Sequence, residues 1–198
     1  METIRSVTDL ENLYPAAVPR SLAKVVTRIT PLYREWIEAS RFLVLTTVGP
    51  EGTDGSPRGD DGPVVRIADE TTLLLPDWRG NNRLDSLRNI VRDGRVSLMF
   101  MVAGSTNVVR VNGEAVLTAD TGLRAGFSRA GKVPTTVVVV TIRELYFQCA
   151  KSIIRSRLWT GERVDVPSAG DFVKEVDRDF DGAAYDADYP DYARERMW

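Results

Sequence analysis

From Phe42 to Val48 apolar and β-branched residues run together until the turn residues Gly49, Pro50, Glu51 and Gly52, a pattern that predicts a strand entering a hairpin. A second such run is Thr71 to Leu75. Val96 to Val102 is almost continuously apolar, which predicts a strand covered on both faces. Val109, Val111, Gly113, Ala115 and Leu117 alternate with Val108, Arg110, Asn112, Glu114, Val116 and Thr118, so this strand should have one dry and one partly polar face. Val137 to Leu145 adds another. Helical spacing is confined to three places. Leu22, Val25, Val26, Ile29, Leu32, Tyr33, Trp36 and Ile37 recur behind a candidate N-cap, Ser21, with Pro31 placed to kink or divide the helix. From Asn82 to Arg92 the positions Leu84, Leu87, Ile90 and Val91 share one helical face, and Gly94 follows. Ala150 to Leu158 reads as a basic helix or turn. Many strands with few intervening helices predict a mainly β, α+β fold in which an antiparallel sheet closes into a barrel with peripheral helices.

The length of 198 residues, 43% of them apolar, fits one domain over 1–198, with an N-terminal helical segment at 8–40 and an acidic, aromatic C-terminal tail at 177–198. That tail could dock its aromatics on the body or on a neighbouring subunit, or stay solvated. With 26 basic and 28 acidic residues the formal charge is −2, which argues against nucleic-acid and anionic-membrane binding. No segment resembles a signal peptide or reaches membrane-spanning length, so a cytoplasmic protein is expected. The chain has no histidine, which removes Ser/His/Asp and Cys/His nucleophile pairs and most catalytic zinc sites. Cys149, the single cysteine, has no neighbouring base and reads as a packed thiol.

Two polar motifs interrupt the strand-rich body: Ser56-Pro57-Arg58-Gly59-Asp60 and Arg79-Gly80-Asn81-Asn82-Arg83. The second is expected to open the Asn82 helix, where free N–H groups and the helix dipole favour an anion such as a phosphate. Arg79 and Arg83 would add charge-assisted hydrogen bonds, Asn81 and Asn82 neutral donors, and Gly80 a close backbone approach. An exposed, asparagine-capped turn explains the same residues without a ligand. Arg58, between Pro57 and Gly59, suits a strand edge or bulge that presents its side chain to a cleft, or a surface pairing with Asp60 or Asp61. Pro76 and Asp77 end the preceding strand, and Asp77 is expected to pair with Arg79 or to orient a ligand.

Taken together, SPRGD (56–60), LLLPDWRGNNRLDSLRN (73–89), RVNGEA (110–115) and QCAKSIIRSRLW (148–159) resemble the signature blocks of the pyridoxamine 5′-phosphate oxidase-like flavoproteins, in particular a bacterial FMN-binding subgroup. The resemblance spans Arg41 to Trp159. It implies an FMN-binding split β-barrel, a homodimer with FMN where the subunits meet, and an FMN-dependent oxidoreductase acting on a small-molecule substrate or electron donor. It places Arg58 and Gly59 beside the flavin or its phosphate tail and wraps the segment from Pro76 through Asp77, Arg79, Asn81, Asn82 and Arg83 around the ribityl phosphate. Lys151 and Arg155 would lie near the dimer seam, toward the partner's cofactor, and Gln148 near the cofactor site. Two positions depart from the family: Gly62-Pro63-Val64-Val65 stands where members often carry an aromatic, and Gln148 where many have a histidine. Residues that would grip pyridoxamine phosphate have no match, so that activity is not implied. Rival expectations are a non-catalytic flavin carrier or sensor, and a split barrel holding a deazaflavin or haem.

Overall fold

The computed structural model describes residues 1–198. Its strands are β1 (Phe42–Gly49), β2 (Gly52–Gly59), β3 (Arg66–Asp69), β4 (Thr72–Asp77), β5 (Arg95–Met101), β6 (Val108–Thr118) and β7 (Thr136–Gln148). They form one antiparallel sheet in the order β2-β1-β5-β6-β7-β4-β3. The sheet curls. Arg58 near the end of β2 meets Asp77 at the end of β4, although four strands separate the two in the sheet order. This closure is the expected split barrel, within an α+β chain. Leu43, Leu45, Leu73, Leu98, Phe100 and Val111 point into its interior with essentially no exposed surface, and such burial of apolar area is the main favourable term in folding.

The apolar run in β5 behaves differently from its sequence pattern. Val96, Leu98 and Phe100 are buried, but Ser97, Met99 and Met101 on the opposite face are only half-buried. One chain therefore covers one face of this strand. In β6 and β7 the register shifts at Asn112/Gly113. A Cβ on Gly113 would drive into the Thr141 carbonyl, so the bulge requires glycine there. Gly113→Ala is expected to lower the unfolding free energy by about 1–3 kcal/mol, the usual cost of overpacking, measurable as a reduced urea midpoint at unchanged m-value.

The helices are α1 (Val7–Glu11), α2 (Pro19–Ala23), α3 (Pro31–Ala39), α4 (Asp85–Arg92), α5 (Thr121–Ala125), α6 (Lys151–Ser156), α7 (Ala169–Val176) and α8 (Gly182–Glu195). The single helix expected from Ser21 onward is broken into α2 and α3, and Ser21 lies inside α2 rather than capping it. Between the two, Val26 exchanges backbone hydrogen bonds with Leu145 of β7, and the Ile29 N–H donates to the Glu70 carbonyl at 2.7 Å. The apolar residues read as helical thus serve a sheet contact instead. Pro31 restarts the helix at its first turn, where its missing N–H costs nothing. In the C-terminal segment α7 and α8 cross where Gly170 and Gly182 meet backbone to backbone, an approach that a Cβ on either would block.

Helix α4 begins at Asp85, three residues after the expected Asn82. Asn82 (φ 61°) and Leu84 (φ 62°) are both left-handed, which no residue of a right-handed helix can be. The Arg79–Arg83 motif is consequently a loop that precedes the helix. Because β4 pairs with β7 and β5 returns beside β1, this loop and α4 carry the chain across from one side of the barrel to the other.

Candidate functional site

Where β2, the β4–α4 loop and the start of α4 converge, they border an open cavity of about 1420 Å³. Arg58, Gly59, Pro76 and Asp77 line it from the strand ends, and Arg79, Asn81, Asn82 and Arg83 from the loop. Two motifs separated by about twenty residues of sequence therefore share one wall.

The Arg58 guanidinium donates to the Asp77 carboxylate at 2.7 Å, with the side chains 20% and 13% exposed. This replaces both expected surface pairings: Asp77 binds Arg58 rather than Arg79, and Asp60 and Asp61 are taken by another residue. The Asp77 carbonyl in turn accepts from the Thr135 N–H at 3.1 Å. Arg58 Nε is buried without a partner. An unpaired buried donor at a cavity wall is costly, and its simplest satisfaction is an acceptor supplied by a ligand.

In the loop, the Arg83 N–H donates to Asn81 Oδ1 at 3.1 Å, and Arg83 Nε pairs with Asp85 at 3.0 Å on the surface. Arg79 has no ion-pair partner. Neither has Arg88, an exposed residue of α4 that also lines the cavity. At the start of α4 the Ser86 hydroxyl donates to the Asp54 carboxylate, and inside the helix the buried Asn89 amide donates to Thr47 Oγ1 at 3.2 Å. These two contacts fix α4 to the β1–β2 hairpin, so the cationic loop is held against a rigid base.

The rest of the lining comes from distant sequence. Asp60, its side chain 3% exposed, receives the Trp78 indole N–H at 3.3 Å, the Gly62 N–H at 3.2 Å and the Arg129 guanidinium at 2.5 Å, and Arg129 also grips Asp61. Burial pushes the Asp60 carboxyl above the usual 3.8, reinforced by Asp61 and opposed by Gly62, Arg129 and Trp78. A carboxyl raised in the folded state binds more protons there than in the unfolded chain, so its contribution to stability falls as pH rises from 3.8 through the raised value. Asp60→Asn is expected to flatten that fall, read as a smaller loss of urea midpoint in the variant than in the wild type from pH 3.8 upward. Trp198, at the end of the C-terminal segment, packs edge-on against Trp78 at 5.2 Å and lies under Arg129 at 4.8 Å. Of the fates considered for the tail, docking on the body is what Trp198 displays.

Gln148, Lys151 and Arg155 do not line this cavity. Gln148 accepts a long hydrogen bond, 3.5 Å, from Arg110, whose guanidinium lies 5.5 Å from the Tyr146 ring centre. Lys151 and Arg155 project from the exposed helix α6. Conversely, Trp78, Arg88, Arg129 and Trp198 line or brace the cavity without having been singled out as site residues. Trp78 stands inside the PDWRGNNR block and Arg88 one helical turn before Arg92, so both had a local signal; Trp198 belongs to the aromatic tail for which docking on the body was one expectation, and Arg129 had no signal. No group of three or more acidic or cysteine side chains is arranged to hold a metal ion.

The sequence model of the pyridoxamine 5′-phosphate oxidase family matches residues 29–149. No curated protein matches the chain. Among solved structures, HupZ of Group A Streptococcus is 15% identical over 69% of this chain and 99% of its own, with a TM-score of 0.50. An FMN-binding protein of Syntrophomonas wolfei is 14% identical over 59% and 88% of the two chains (TM-score 0.44), and an F420 reductase 16% identical over 61% and 98% (TM-score 0.42).

Proposed function

The chain belongs to the pyridoxamine 5′-phosphate oxidase family of flavin-binding split barrels, and from that premise we propose that it is an FMN-dependent oxidoreductase whose cofactor sits in the cavity between β2 and the β4–α4 loop. The observation that carries this reading is the donor set. Arg58 offers a buried, unpartnered Nε, and Arg79, Arg83 and Arg88 offer guanidinium groups around one space. A dianionic phosphomonoester suits such a set, because arginine matches phosphate geometry with paired donors. The cleft is large enough to admit a mononucleotide.

When bound, the flavin supplies the two-electron redox chemistry. The protein's part is binding and electrostatics. Asp77 holds Arg58 in one orientation, Asn81 shapes the loop through the Arg83 N–H, and the Asp54–Ser86 contact keeps α4 beneath it. Without histidine, and with Asp60 committed to three donors, no side chain is assigned as general acid or base.

We further infer a homodimer in which Gln148, Lys151 and Arg155 face the partner's site. Supporting it is a transverse row on the outer face of the sheet, Pro57, Val44, Met99, Arg110 and Tyr146, adjacent by strand register. Its members include half-buried apolar side chains, and nearby Phe42 is 40% exposed. A second copy would cover the face of β5 that one chain leaves half-open. No helix is long and apolar enough to cross a membrane; a cytoplasmic location remains part of the proposal.

Two measurements test this reading. Chromophore released from purified protein and identified by mass should be FMN, and NADH or NADPH should bleach it; a deazaflavin or haem would overturn the cofactor, and a bound flavin that no donor reduces would favour a carrier or sensor. Light scattering should give the mass of two chains rather than the 22.0 kDa of one.

A further inference from the structure

The C-terminal residue lies on the cavity through a closed set of contacts rather than as a loose end. Trp78 donates its indole N–H to Asp60, Asp60 binds Arg129, Arg129 lies over the Trp198 ring, and Trp198 returns edge-on to Trp78 with an interplanar angle of 75°. Arg129 is doubly anchored, since it also grips Asp61. The end of α8 has a separate tie: Lys132 Nζ donates to the Glu195 carbonyl at 3.3 Å. Met197 and Tyr189 of the same segment also line the cavity. Elements from the end of β2, the β4–α4 loop, the β6–β7 connection and the C-terminus therefore converge on two indole rings.

We propose that Trp198, set by Arg129 against Trp78, is a specificity-determining aromatic wall of this cavity, which contacts the planar part of the bound ligand and shields it from solvent. The chemistry divides the ligand between two kinds of lining. The arginines serve an anionic group, and the paired indoles serve a flat, apolar, polarisable ring, with which aromatic faces and edges pack favourably. Arg129 is a positioning residue: both its anchors are carboxylates, and its remaining face lies over Trp198. The inference rests on the proposed FMN site and adds to it an element supplied by the far end of the chain.

The test uses full-length protein titrated with FMN, with wild type compared to Trp198→Ala and Trp198→Phe, and reads the quenching of bound-flavin fluorescence by iodide. Trp198→Ala should raise the quenching constant several-fold while FMN affinity falls by no more than about tenfold, or 1.4 kcal/mol, because the arginine contacts are intact. Trp198→Phe should restore most of the shielding. Trp198 lies outside the barrel core, so circular dichroism of the variants should match the wild type. FMN bound equally by all three proteins, with identical iodide quenching, would overturn the aromatic wall and leave the FMN site standing. Failure of the wild type to bind FMN would overturn the site and the wall together.

Discussion

Arg58→Ala should abolish FMN retention at concentrations that saturate the wild type and should destabilise the protein by about 2–3 kcal/mol. Removing one member of a fully buried ion pair costs about 3–5 kcal/mol because the other charge is left uncompensated. Here Arg58 keeps a fifth of its side-chain surface in water and Asp77 about an eighth, which reduces the penalty through solvent screening. The binding loss is separate. It combines a missing guanidinium at the cavity with an Asp77 carboxylate that now opposes an anionic ligand at the same wall. Arg58→Lys distinguishes the two contributions: it preserves the charge opposite Asp77 but not the forked donor, so stability should return further than FMN affinity. Urea denaturation and FMN titration of both variants provide the check. Wild-type affinity in a folded Arg58→Ala protein would remove Arg58 from the site.

Arg83→Ala should weaken FMN by about 1.5–3 kcal/mol, the range for a hydrogen bond to a charged group, which is about 10- to 150-fold. Its effect on stability should be slight, because the Arg83–Asp85 pair is largely exposed and such pairs contribute about 0–1 kcal/mol. Raising the salt concentration should weaken FMN binding by the wild type more than by the variant, since the deleted contact is the one that salt screens. A variant with unchanged affinity and unchanged salt dependence would leave Arg83 as a surface residue paired with Asp85.

The barrel was legible where local pattern and tertiary role agree. β1 and β7 coincide closely with runs rich in β-branched residues, because a pleated surface selects those residues directly, and β4 with the apolar run Leu73–Leu75, which is buried on both faces. β2 was harder. Its eight residues, Gly52–Gly59, include two glycines at the ends, one inside, and Pro57, a composition tolerated because β2 is the edge of the sheet. The loop before α4 was misjudged for a physical reason: Leu84 continues the apolar period of Leu87 and Ile90, yet its left-handed backbone places it outside the helix. Periodicity reports which residues face the core and says nothing about the sign of φ.

The site divides in the same way. SPRGD and RGNNR could be singled out because arginine, glycine and amide residues cluster locally in each. Their partners could not. Asp77 lies two residues from Arg79, so a local pairing was the natural expectation; only barrel closure brings Arg58 to it instead. Arg129 and Trp198 are 69 residues apart; the aromatic tail could be expected to dock somewhere, but only the β6–β7 connection and α8 bring Trp198 and Arg129 together over Asp60 and Trp78.

Whether this cavity grips the phosphate of a flavin is decided by titrating the apoprotein with FMN and with riboflavin, which lacks the phosphate, under the same conditions by calorimetry. One FMN per chain should bind, at least about tenfold more tightly than riboflavin, a difference of about 1.4 kcal/mol or more, with the advantage shrinking in the Arg83→Ala variant. Equal affinity for the two flavins, or no uptake of FMN, would contradict a grip on the phosphate.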